Sequence, residues 1–157
     1  MIIIRPAVPA DYPAVGRLLL QISQLHARLR PDIFRPASRK YDEAQYAGLL
    51  ADPDSPILVA ENGAGEVVGY AMCQVRESKG HAVTHDRRWL HLDDLCVDEA
   101  CRGQGVGRLL MEGVKGLARE RGLTQIELNV WECNGDALRF YERLEFATQR
   151  RVLEMGL

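Results

Sequence analysis

Apolar residues recur along the chain with two periods, and their succession predicts an ordered set of helices and strands. Over 11–29, Val15, Leu18, Leu19, Ile22, Leu25 and Leu29 fall at helical spacing, with Pro9 and Asp11 at the start. A second stripe of Val106, Leu109, Leu110, Val114, Leu117 and Ala118 predicts an amphipathic helix over 105–121. Strands are expected near 2–5, over 57–61 and 67–76, and over 124–131, where Ile126, Leu128 and Val130 share one face. Asn62-Gly-Ala-Gly-Glu66 between two of them is a hairpin signal. A short helix around 42–51, a helix over Asp136–Leu144, a loop at Arg30–Pro36 and a longer one at 77–87 fill the intervals. A closing strand over 146–154 would complete the order β-α-α-β-β-β-α-β-α-β.

One more strand, Trp89–Val97, does not keep a single register. Leu90 and Leu92 share a face, but Leu95 and Val97 lie an odd number of residues away and should point oppositely. An extra residue at Asp93–Asp94, a β-bulge, brings all four to one side. The alternative is a strand buried on both faces, which would desolvate two adjacent carboxylates at high cost. A bulge also leaves backbone N–H groups unpaired and free for a ligand.

This strand runs into a loop with glycines at 103, 105 and 107, and the loop opens into the helix at 105–121. Such a turn gathers unpaired N–H groups at the positive end of a helix and suits a phosphate. No Gly-x-x-x-x-Gly-Lys-Ser/Thr run exists, so a nucleoside triphosphatase is not indicated. A dinucleotide fingerprint fails as well, because its third glycine would fall on Arg108. What is present is Arg102-x-x-Gly105-x-Gly107, supplemented by Gly103. It resembles the acetyl-CoA pyrophosphate loop of the GCN5-related N-acetyltransferase (GNAT) superfamily. An ordinary glycine-rich turn is the bland alternative.

A second motif follows. Asn134 stands as a helix N-cap, and Asn134, Ala137, Phe140, Tyr141, Leu144 and Phe146 match the GNAT pattern Asn-x-x-Ala-x-x-Phe-Tyr-x-x-x-Gly-Phe at every position except the glycine. Glu145 occupies that place, where glycine usually closes a helix in the left-handed region. A glutamate could take that conformation at about 1 kcal/mol or more, or the turn could differ.

The resemblance spans essentially the whole chain and implies an α/β (α+β) fold: a mixed, mostly antiparallel central sheet, helices on both faces, and a V-shaped split between strands 4 and 5. It implies a single N-acetyltransferase domain over 1–157 that moves the acetyl group of acetyl-CoA to a primary amine. Main-chain donors at Leu95, Cys96 and Val97 would meet the thioester and pantetheine. Arg102, Gly103, Gln104, Gly105, Val106, Gly107 and Arg108 would hold the pyrophosphate, with Asn134 and Ala137 beside the cofactor. Tyr141 would protonate the departing thiolate, its alternative being a core aromatic. Asp93 or His91 would act as base, and a solvated polar strand end is the alternative for both. A CoA-binding sensor that lost catalysis is the second functional reading.

Composition restricts the partners. With 46% hydrophobic and 27% charged residues the chain is ordinary for a globular protein, and a net charge of −2 gives no reason to expect nucleic acid or an anionic membrane. Three apolar residues before Arg5 are too few for a signal peptide or a span. Four cysteines without paired spacing and four scattered histidines predict free thiols and no metal. A cytoplasmic enzyme, with a homodimer among the expected assemblies, follows from this reading.

Overall fold

A computed structural model describes all residues, 1–157. Five strands form one sheet in the order β1-β2-β3-β4-β5: β1 (Ile3–Pro6), β2 (Ile57–Glu61), β3 (Val67–Ser78), β4 (Arg87–Val97) and β5 (Ile126–Leu128). The first four are antiparallel to their neighbours, and β5 runs parallel to β4. Four helices accompany them: α1 (Tyr12–Leu29), α2 (Glu43–Ala51), α3 (Val106–Glu120) and α4 (Gly135–Arg143).

The two predicted stripes cover opposite faces of the sheet. From α1, Val15, Leu18 and Leu19 pack with Tyr46 of α2 on Ile57, Val59, Tyr70, Met72 and Cys96. From α3, Val106, Leu110, Met111, Val114 and Ala118 pack on Leu58, Ala60, Ala71, Leu90 and Leu92. The α3 axis comes very close to the sheet at Gly113, where a β-carbon would lie 2.9 Å from both Ile4 and Leu58. α2 starts with a reciprocal capping box: the Gln45 amide donates to Asp42 (2.8 Å) and the Asp42 amide to the Gln45 side chain (2.9 Å).

The register argument for β4 holds. Pairing with β3 runs from Ser78↔Arg87 to Cys73↔Leu92, then shifts and resumes at Met72↔Asp94, so Asp93 is the additional residue. In consequence Leu90, Leu92, Leu95 and Val97 all serve the α3 side, and Cys96 faces α1.

The closing strand does not form. Residues 147–157 carry no regular structure, and Val152, Leu153 and Met155 are exposed. Pairing along β5 covers three residues only, so that edge offers a short ladder.

Candidate functional site

Six consecutive backbone amides, those of residues 103–108, donate to no backbone acceptor in the chain. The first helical bond of α3 is from the Leu109 amide to the Gly105 carbonyl (3.1 Å). Gly103 and Gly105 make the turn possible, with φ of 76° and 80°, a region that other L-residues enter only at a cost. The result is a concave run of donors at the positive end of a 15-residue helix. The Arg102 and Arg108 side chains are exposed beside it.

Beside this loop the sheet opens. β4 pairs with β5 only over Leu90↔Ile126, His91↔Glu127 and Leu92↔Leu128. Beyond Leu92, β4 continues alone on that side to Val97. The Asp98 amide donates across to Val68 of β3 (2.8 Å). Strand alternation therefore turns the amides of Leu95 and Val97 away from β3, toward the gap that β5 has left. Cys96 has the opposite sense. Its amide belongs to the β3 ladder, and its thiol is buried against α1, where burial pushes it up to about 12. Gln21 of α1 fastens the end of this strand, donating to the Val97 carbonyl (3.0 Å) and accepting from the Glu99 amide (3.3 Å).

Loop, strand end and α4 meet at Gly107. A β-carbon there would lie 3.1 Å from the Phe140 ring and 3.8 Å from the Val97 side chain. Asn134 caps α4 by accepting from the Ala137 amide (3.2 Å). Tyr141 on the same helix is wedged between Phe140 and Phe146, with ring centroids at 5.1 and 5.6 Å in edge-to-face geometry. Burial, followed by the nearby charge of Asp94, raises its phenol well above the usual tyrosine value. The turn after α4 is a Schellman motif: the Phe146 amide donates to the Tyr141 carbonyl (3.0 Å) and the Glu145 amide to Glu142 (3.0 Å). Glu145 adopts the left-handed conformation with φ of 67°. The glutamate thus keeps the geometry that glycine would favour.

The bulge carries two carboxylates with different surroundings. Burial alone would raise Asp93, but Lys40 (3.0 Å) and the Tyr41 hydroxyl (2.8 Å) outweigh it and hold the carboxyl below its usual range. Asp94 is pushed up by burial, and its carboxylate accepts from Tyr70 (3.0 Å). His91, two residues before the bulge, is 4% exposed. Burial, then the charge of Arg76, lowers its pKa, with Asp93 and Glu127 opposing, so the neutral imidazole dominates at neutral pH. Its Nδ1 has no hydrogen-bond partner and lies 3.8 Å from Glu127 of β5. The Trp89 indole N–H is likewise buried without a hydrogen-bond partner.

The residues expected from sequence thus fall into one region of the fold, at the β4 bulge, the α3 N-terminus and α4. Lys40, Tyr41, Tyr70 and Glu127 join them without having been anticipated. Lys40 and Tyr41 lie just past the Arg30–Pro36 loop, in a stretch with no periodicity. Glu127 pairs across a parallel register 36 residues from His91, and no local pattern announces such a partner.

Comparison with known proteins agrees with this geometry. Residues 19–146 match the acetyltransferase (GNAT) family. The chain is 33% identical over 96 residues to streptothricin acetyltransferase of Streptomyces lavendulae, covering 61% of this chain and 47% of that protein. It is 29% identical over 121 residues to the peptidyl-lysine N-acetyltransferase YjaB of Escherichia coli, covering 73% and 69%. The chain therefore spans about half the length of the first of these relatives. Among solved structures, a tetramutant of the BH1408 protein of Bacillus halodurans superposes with a TM-score of 0.94 at 30% identity, over 99% of both chains. An aminoglycoside acetyltransferase from a soil metagenome shares the fold at 20% identity and a TM-score of 0.71.

Proposed function

The chain belongs to the acetyltransferase (GNAT) family, and we propose that it transfers the acetyl group of acetyl-CoA directly to a primary amine of a small molecule or peptide. The observation that carries this reading is the run of free amides at 103–108 placed beside the gap between β4 and β5. A pyrophosphate on those amides leaves its pantetheine arm one route into the fold, along the amides of Val97 and Leu95. The thioester then lies against the bulge.

Three chemical needs are met there. The Leu95 amide donates to the carbonyl oxygen as negative charge develops on it. Tyr141 gives its proton to the departing sulfur; its raised pKa keeps the phenol protonated at neutral pH, so the proton is present when the carbon–sulfur bond breaks. His91, kept neutral, accepts the proton released by the acceptor amine, directly or through a water. Asp93, already charged and paired with Lys40, is a poor proton acceptor. The relatives named for streptothricin and peptidyl-lysine support a primary amine as the acceptor, whether small or peptidic.

A thiol-release assay with acetyl-CoA against a panel of amines and lysine peptides tests the reading. Tyr141→Phe should keep acetyl-CoA binding and lose about 10²–10⁴-fold in turnover. Turnover within a factor of two of the parent would make Tyr141 structural. Binding without turnover on any amine would favour a sensor.

A further inference from the structure

The loop between α1 and α2 places a primary amine of the chain itself at the bulge. The Lys40 Nζ lies 3.0 Å from the Asp93 carboxylate and donates to the Asp93 carbonyl oxygen at 3.4 Å. The neighbouring residue is fixed from two sides: the Tyr41 hydroxyl donates to Asp93 (2.8 Å), and the Tyr41 carbonyl accepts from Tyr12 of α1 (3.1 Å). The backbone carrying Lys40 is therefore anchored while its amine stays accessible, with the side chain 44% exposed. The same ammonium acts on Asp94 and His91, and Asp94 in turn acts on Tyr141. Lys40 thus sits at the bulge against which the proposed transfer places the thioester.

We propose that Lys40 is an acetylation site of this chain, acylated in cis by acetyl-CoA bound in the gap between β4 and β5. The inference rests on the function proposed above. In the step, the Lys40 ammonium gives one proton to His91 or water, and the neutral amine forms a bond to the acetyl carbon; its second proton, lost as the amide forms, passes through water and replaces the one that Tyr141 gives up. The carbon–sulfur bond breaks, and the thiolate leaves with its electron pair and takes a proton from Tyr141. The product is a neutral amide at Lys40 and free CoA. Acetylation would remove the cation from Asp93 and leave that carboxylate free to receive the ammonium of a diffusible acceptor.

The chain contains two other lysines, and both serve as internal controls. Lys79 pairs with Glu77 and Lys115 with Glu112, each with a neighbour on its own element or just beyond it. Incubation of the purified protein with acetyl-CoA, followed by peptide mass spectrometry, should show one acetyl group at Lys40 and only the slow chemical background at Lys79 and Lys115. The first-order rate should not change over a tenfold dilution of the protein. Tyr141→Phe should slow labelling at Lys40, and Gly105→Glu, built to block the pyrophosphate loop, should reduce it to the level of the controls. Lys40→Arg, which keeps the ion pair, should abolish it.

Labelling of Lys40 no faster than of Lys79, in a preparation that binds acetyl-CoA and acetylates an added amine, would overturn the inference and leave the proposed function standing. A rate that falls with dilution would also overturn it, because the transfer would then be between molecules. A folded preparation that does not bind acetyl-CoA would overturn both.

Discussion

Tyr141 and Glu145 sit one turn apart, and the conformation of the second fixes the surroundings of the first. The positive φ at Glu145 lets the Phe146 amide fold back onto the Tyr141 carbonyl, and this brings the Phe146 ring against the phenol. An L-residue in that region carries a strain of about 1 kcal/mol. Glu145→Gly should therefore raise stability by about that amount in urea melts, with Tyr141 in place; a loss of stability would mean the glutamate side chain makes a compensating contact. A second expectation at this scale concerns His91. Unfolded, the imidazole takes up a proton near its ordinary value of 6.5; folded, burial and Arg76 delay that to lower pH. The unfolded state thus binds more protons in this window, so the contribution to stability is complete above about 6.5 and is lost as pH falls below it. His26 is lowered as well, by burial and Lys40, and acts in the same direction. His91→Gln should flatten, without abolishing, the decline in stability between neutral and mildly acidic pH. An unchanged slope would show that His91 does not titrate as described.

Among the elements, the β4 bulge was readable and its neighbours were not. Four apolar residues in two registers required an inserted residue at Asp93–Asp94, and the pairing shift sits there. The glycine turn and the α3 stripe were equally legible, because a helix start and a 3.6-residue period are local properties. The partners of Asp93 and His91 depend on loop closure and on a parallel register between distant strands, neither of which has a local code. The strand expected over 146–154 does not form for a related reason: a ladder needs a partner, and the adjacent strand, β5, is three residues long. Gly107 illustrates a cost invisible in sequence. Beyond its place in the phosphate loop, Gly107 packs tightly: a β-carbon there meets Phe140 at 3.1 Å. Gly107→Ala should therefore lower the melting temperature and shift the Tyr141 ring resonances even without ligand. Gly105, where a β-carbon meets nothing within 4 Å, should tolerate Ala at about 1–2 kcal/mol of backbone strain. Equal effects of the two variants on the free protein would contradict the packing account.

At the scale of the whole molecule, two helical layers clamp a sheet whose bulged strand β4 is also the one that loses its neighbour. α1 and α2 support the face carrying Asp93, Asp94 and Cys96, while α3 supports the other and presents its N-terminus at the same end. No helix is long and apolar enough to cross a membrane. The arrangement concentrates free backbone donors, a raised phenol and a lowered imidazole around one opening, and the central claim is that acetyl-CoA enters there. Titration of acetyl-CoA into the isotope-labelled protein, followed through backbone amide resonances, tests it most directly. Saturable shifts should concentrate at Leu95, Val97 and residues 103–108, with the hairpin at 62–66 unmoved. Saturation that leaves those amides unchanged, or shifts gathered at the hairpin instead, would contradict the account.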